Sequence, residues 1–203
     1  MILIGQYDSP FVRRVGIALT LFGLPFRHHP WSSFGDADLI RVHNPLTRVP
    51  VLVLDDGESL IESHLILEHL DTLVPPGQRL FPQSDPDRRR ALQRAALACG
   101  IGDKAVSLFY EERLHSEASA MFVARCHRQI SEGWQRLEVF HAVRPDAAIG
   151  HAEVALATVW RFVQEAHPGL TDASALPALS SLCDRLEATA AFRAIYQPFI
   201  PPA

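Results

Sequence analysis

At 203 residues, with 48% hydrophobic and 21% charged side chains, the chain is long enough to bury one large core or two small ones. Its net charge of −4 gives no electrostatic footprint for a nucleic acid or a membrane surface, and no apolar run reaches the length of a bilayer span. Residues 1–5 are too short for a signal-peptide core, and Cys99, Cys126 and Cys183 lie far apart in helix-like stretches, so a cytoplasmic protein with reduced, core-filling thiols is expected.

The chain opens with a short β-rich run, Ile2-Leu3-Ile4. Pro10 is favoured at a first helical position, which makes Ser9 the natural N-cap. The helix that follows is mostly apolar and ends at Gly23. Residues 25–31 read as a second strand and 36–42 as a short helix broken by Asn44-Pro45. Next, 48–63 reads as strand, tight turn, strand and helix start. Val51 to Leu54 are a continuous apolar run, Asp56-Gly57 supply the hairpin turn, and Ser63 is placed to cap the helix whose inner face carries Ile66, Leu67, Leu70 and Val74. The element order is β-α-β-α-β-β-α.

Pro50 begins a strand, so it belongs at an edge or in a special turn where a cis bond is tolerated. Val49 before it then keeps its own N–H and C=O for an extended ligand, and the helix start at Glu62-Ser63 offers N–H groups to a carboxylate. That pattern is a peptide-binding edge beside an anion site.

Five prolines and glycines within 75–86 mark a linker, which divides the chain into domains at 1–74 and 87–203. Beyond the linker every periodic segment is helical. Asp85 is expected to cap a long helix started by Pro86, with Leu92, Ala96, Cys99, Val106, Phe109 and Leu114 as its buried stripe. A second long helix buries Phe122, Cys126, Ile130, Trp134, Leu137 and Phe140 and is closed by Arg144-Pro145. Residues 150–167 form a central apolar helix, and 175–186 and 189–196 complete the set.

SPFVRRV, NPLTRVPVLVLDDG and ESHLILEHLD, at this spacing and followed by an all-helical half, resemble the cytosolic glutathione S-transferases, and most of all the serine-type branch typified by the plant tau enzymes. The resemblance covers nearly the whole chain. It implies a thioredoxin-like α/β N-terminal domain that binds glutathione, an all-α C-terminal domain that contributes the electrophile site, and a homodimer. It further implies that Val49, with Pro50 as cis-proline, pairs with the cysteinyl unit, that Glu62 and Ser63 take the γ-glutamyl ammonium and carboxylate, and that Arg48 takes the glycyl carboxylate.

Ser9 then activates the sulfur. A free thiol has a pKa of about 8.5, and a hydroxyl donor at a helix N-terminus favours the anion. The competing reading is that Ser9 is only a cap; the rival donor is Tyr7, two residues early. No cysteine stands at either end of Ser9-Pro10-Phe11-Val12, which argues against disulfide exchange. Arg13 and Arg14 divide between the site mouth and a structural ion pair, and the sequence does not say which is which.

Phe11, Phe34, Phe109 and Tyr110 are candidates for an apolar electrophile pocket. No metal is expected, since His28-His29 point to opposite faces of a strand and lack companion ligands. Gly100-Ile101-Gly102 lies inside a helix, so it marks close packing and not a dinucleotide loop. Arg88-Arg89-Arg90 is a solvated helix start. The expected activity is conjugation of glutathione to hydrophobic electrophiles, the alternatives being a glutathione-dependent isomerase or peroxidase, or a non-catalytic scaffold of the same fold.

One further expectation concerns stability. In the family the central helix opens with Ser or Thr and an Asp three residues on, where this chain has Gly150 and Glu153. Glu153 is expected to reach back to the Gly150 N–H, and Gly150→Ser to raise the melting temperature by restoring the cap oxygen.

Overall fold

The computed structural model describes residues 1–143 and 148–201; the expected helix stop at Arg144-Pro145 lies outside them. The N-terminal half follows the expected order: β1 (Ile2–Ile4), α1 (Pro10–Leu21), β2 (Arg27–His29), α2 (Ala37–Arg41), β3 (Val51–Val53), β4 (Ser59–Ile61) and α3 (Ser63–Thr72). Its four strands pair in the order β2-β1-β3-β4, with β1 parallel to β2 and the other neighbours antiparallel. The hairpin turn forms where Asp-Gly stands: Gly57 takes φ +92, Leu54 N–H donates to Glu58 O, and Asp56 accepts the Glu58 N–H at 3.0 Å. Leu3, Val12, Val15, Leu52, Ile66 and Leu67 close a core between the sheet and the pair α1, α3.

The other half is helical: α4 (Asp87–Leu114), α5 (Ala120–Ala142), α6 (His151–Ala166), α7 (Pro177–Glu187) and α8 (Ala190–Ala194). α6 is buried all round from His151 to Trp160 and packs on α1, α4 and α7, which explains its largely apolar sequence there; Arg161, Gln164 and Glu165 make its last turns polar on one side. On α5 the expected stripe holds at its centre, with Cys126, Ile130, Trp134 and Leu137 buried and Trp134 edge-to-face with Trp160 at 5.2 Å. All three cysteines are buried free thiols.

Several expectations are corrected. Of the expected α4 stripe Cys99 and Phe109 are buried, Leu92 and Val106 are half-buried, and Ala96 and Leu114 are exposed; the rest of the inner face is Ala91, Ala95, Ala98, Ile101, Gly102, Ala105 and Leu108. Small residues let α6 come close: a Cβ on Gly102 would lie 3.1 Å from Val159 and 3.3 Å from Phe11. Gly100 meets nothing, so only the second glycine of that pair serves packing. Asp85 makes no side-chain cap, because Pro86 is itself the N-cap residue and α4 starts at Asp87. Ser63 is likewise the first residue of α3 and not its cap; Glu62 holds that place, at φ +66.

The capping box at α6 does not form either. Glu153 is buried and turns to Arg94 at 3.3 Å. Gly150 is extended, so any residue suits its backbone, but a Cβ there would stand 2.9 Å from the Leu80 carbonyl oxygen. The obstacle is fixed backbone, and Gly150→Ser is therefore expected to lower stability by about 1–2 kcal/mol, a Tm drop of roughly 2–6 °C by calorimetry. A rise in Tm would reinstate the capping argument.

α3, the following segment and α6 meet at one buried cluster. Asp71 accepts the N–H groups of Leu80 (3.0 Å) and Phe81 (3.1 Å) and lies 3.1 Å from His151 Nε2. Burial pushes His151, His141 and His167 below the ordinary histidine pKa, while the Asp71 hydrogen bond pulls His151 back up. Below about pH 6.5 the unfolded chain takes up protons that these native imidazoles refuse, so stability is full above that pH and falls beneath it. A Tm lower by several degrees at pH 5.5 than at pH 7.5 is expected. An unchanged Tm would mean that the three imidazoles are not held neutral.

Candidate functional site

The site forms where β1 hands over to α1. Gly5 sits at φ +125, and a Cβ there would meet Val12 at 2.5 Å and Val49 at 2.8 Å. Glycine thus permits the close approach that sets the start of α1 beside the Val49 loop. Ser9 is the N-cap: its backbone is extended, Pro10 follows at N1, and its Oγ accepts the Val12 N–H at 3.4 Å. A hydroxyl has one donor and two acceptor sites, so this long capping bond leaves the O–H to donate into the cleft that Ser9 lines. Cap and cleft donor are compatible roles.

The second wall is the loop before β3. Buried Asn44 ties it, donating to Arg48 O at 2.9 Å and accepting from Leu46 N–H at 3.0 Å. The Val49-Pro50 peptide is cis. The Val49 N–H and C=O take no hydrogen bond among the described residues, as the edge reading requires. Arg48 lies 3.5 Å from Glu62 across a half-exposed gap, a pair worth at most about 1 kcal/mol and readily exchanged for charges on a ligand.

Ser63 opens α3, and the first N–H groups of that helix have no partner within it. Its side chain is buried, and Arg14 donates to its Oγ at 3.4 Å from beneath. Arg14 also donates to Cys99 Sγ at 2.8 Å, and its Nε and Nη2 find no hydrogen-bond partner among the described residues. Its pKa is lowered by burial. Arg13 is the structural residue of the two, forked onto Glu187. Neither arginine lines the cleft.

The cleft itself has a volume of about 840 Å³. Phe11, Phe34, Phe109 and Tyr110 all line it, together with Ser9, Arg48 and Val49; Pro50, Glu62 and Ser63 are not among its lining residues. Phe34 and Tyr110 meet edge-to-face at 5.6 Å. Tyr7 lies outside it, stacked on His28 at 3.8 Å with its hydroxyl pKa pushed up to about 12 by burial, which makes it a poor donor to a thiolate.

Sequence reasoning missed the rest of the lining. Asp8 accepts the Ile200 N–H at 3.3 Å, and burial, then Glu165, raise its pKa. Asp103 on α4 is raised by burial as well, with Arg48 opposing and Glu62 reinforcing the shift. Phe199 and Ile200 line the cleft from the segment that follows α8. Asp103 carried a signal, as a polar residue one position beyond a glycine on the expected cleft helix; the pairing of Asp8 with Ile200 depends on a contact nearly two hundred positions apart.

Residues 3–78 match the family model described as the glutathione S-transferase N-terminal domain. The chain is 30% identical over 160 residues to the uncharacterized GST-like protein YibF of Escherichia coli (strain K12), covering 78% of this chain and 77% of YibF. It is 39% identical over 116 residues to glutathione S-transferase U6 of Arabidopsis thaliana, spanning 57% of this chain and only half of the plant enzyme. Its fold matches that of a glutathione S-transferase from Methylobacterium radiotolerans in complex with glutathione sulfonate, with a TM-score of 0.90 and 31% identity over 100% of this chain and 98% of that one.

Proposed function

The chain belongs to the glutathione S-transferase family, and from that premise we propose that it binds glutathione in the cleft, holds the sulfur as thiolate, and conjugates it to a hydrophobic electrophile. The observation that carries the reading is that Ser9, at the N-terminus of α1, and Val49, with its peptide groups unspent, line the same cleft. An extended cysteinyl unit paired with Val49 brings its sulfur toward the Ser9 hydroxyl and the helix dipole.

The remaining charges match the tripeptide. Arg48 leaves Glu62 for the glycyl carboxylate, and Glu62 takes the ammonium, with Asp103 adding negative charge nearby. Ser63, whose Oγ is fixed by Arg14, directs its O–H and the α3 N–H groups to the γ-glutamyl carboxylate. Catalysis then comes from stabilising the thiolate and holding it next to the electrophile. With an aryl halide, the sulfur–carbon bond forms as the carbon–halogen bond breaks, halide leaves, and the thiol proton passes to solvent. The aromatic lining suits such substrates, and the family resemblance extends to a homodimer.

Product analysis by mass spectrometry tests this. Incubation with glutathione and an aryl halide is expected to yield the thioether and free halide well above the uncatalysed rate. Glutathione disulfide made from an added hydroperoxide, without thioether, would replace conjugation by the peroxidase alternative. Failure to bind glutathione at all would leave a scaffold.

A further inference from the structure

Beside the thiolate site, the end of the cleft lined by Phe199 and Ile200 has an uneven charge. The charged side chains lining the whole cleft, among the described residues, are Asp8, Arg48 and Asp103. In the glutathione reading Arg48 is taken by the glycyl carboxylate and Asp103 stands near Glu62, so Asp8 is the charge that faces the electrophile. It neighbours Ser9 directly and is held by the Ile200 N–H of the C-terminal segment at 3.3 Å.

Behind it lies a second carboxylate. Glu165 accepts the Phe199 N–H (2.9 Å) and the Tyr196 hydroxyl (3.0 Å), with Arg161 at 3.8 Å as its outward counter-ion. Around this end stand the rings of Phe109, Phe162 and Phe199, with Phe199 edge-to-face to the other two at 5.1 and 5.6 Å. Aromatic faces attract cations, and a carboxylate in a partly desolvated pocket does so over a longer range while repelling its own charge.

We propose that this end of the cleft selects electrophiles by charge, preferring aromatic substrates that carry a cationic group over neutral ones and rejecting those that carry a carboxylate, with Asp8 as the residue that sets the order. The inference rests on the glutathione reading above, which places the sulfur beside Ser9 and the electrophile beyond it. Asp8 acts on substrate choice and takes no part in holding glutathione.

Calorimetric titration with three S-benzylglutathiones tests it without depending on turnover: one unsubstituted, one with a para-trimethylammonium group and one with a para-carboxylate, and glutathione itself as control. The cationic conjugate is expected to bind roughly tenfold tighter than the anionic one, with the neutral conjugate between them. Asp8→Asn, which keeps an oxygen for the Ile200 N–H, should compress the spread to about twofold, and Asp8→Glu should restore it. The parent series alone already decides the sign, whatever the variants' yield. Equal affinities in the parent, a preference for the anion, or a spread that Asp8→Asn leaves intact would overturn the inference while glutathione still bound. If glutathione itself did not bind, the underlying reading would fail and take this one with it. Rates with the matching benzyl chlorides, each divided by its uncatalysed rate, should follow the same order.

Discussion

Ser9→Ala removes the ultraviolet thiolate band that glutathione gives with the parent protein at neutral pH, and lowers kcat/KM for conjugation by roughly a hundred- to a thousandfold, the usual cost of losing one donor aimed at a developing or resident anion. In water the thiol is mostly protonated at pH 7, with a pKa of about 8.5, and each unit by which the site lowers it represents about 1.4 kcal/mol of preference for the anion. In the proposed reading two features supply that preference: the hydroxyl of Ser9, which accepts the Val12 N–H in its capping bond and so keeps its own proton for the cleft, and the dipole at the N-terminus of α1.

The mutation removes the first feature and keeps the second, so the band is lost at neutral pH while residual activity is expected. Loss of the cap should cost no more than about 1 kcal/mol of stability, which a thermal melt separates from the kinetic loss. Tyr7→Phe is the control. Its hydroxyl lies outside the cleft lining with a pKa pushed up to about 12, so the band should persist. A band that survives in Ser9→Ala and vanishes in Tyr7→Phe would reverse the assignment.

What could be read in advance was what short-range chemistry dictates. Ser9-Pro10, Asp56-Gly57 and Val49-Pro50 each force a local geometry through a side-chain oxygen, a positive φ or a missing N–H, and the structure has all three where the sequence places them. Of the α4 stripe only Cys99 and Phe109 are fully buried, because hydrophobic periodicity favours large side chains, while the approach of α6 is made by alanines and Gly102. Ser63 was misplaced by one residue because Glu62 adopts φ +66, a conformation that local preference disfavours and the surrounding fold imposes. The division of labour between Arg13 and Arg14 was illegible for a simpler reason. Adjacent residues on a helix diverge by about 100°, and which of the two meets Glu187 depends on where α7 packs, more than 170 positions later.

That ion pair is where the largest loss of stability is expected. Arg13 is buried on α1, and its guanidinium forks onto both oxygens of Glu187 at 2.7 and 2.6 Å, while Nε donates to Ile195 O at 2.7 Å and Nη2 to Phe192 O at 3.1 Å. Arg13→Ala leaves a largely buried carboxylate and two carbonyls without their donor, and should cost about 3–5 kcal/mol in urea unfolding. Arg161, 3.6 Å from Glu187 but partly exposed, can take up some of the stranded charge, which places the result toward the lower end. Arg13→Lys keeps the charge and loses the planar fork, so an intermediate cost of about 1–3 kcal/mol is expected. A double-mutant cycle with Glu187→Gln isolates the pair from the carbonyl bonds, and a coupling below about 0.5 kcal/mol would show that the fork contributes nothing of its own. The consequence reaches the cleft, because α8, held by the same guanidinium, leads directly into the segment that carries Phe199 and Ile200. In Arg13→Lys the affinity for S-benzylglutathione should therefore fall more than the affinity for glutathione, which the proposed reading places mainly on the N-terminal half. Equal losses for the two ligands would place the damage in α1 and the Ser9 end instead.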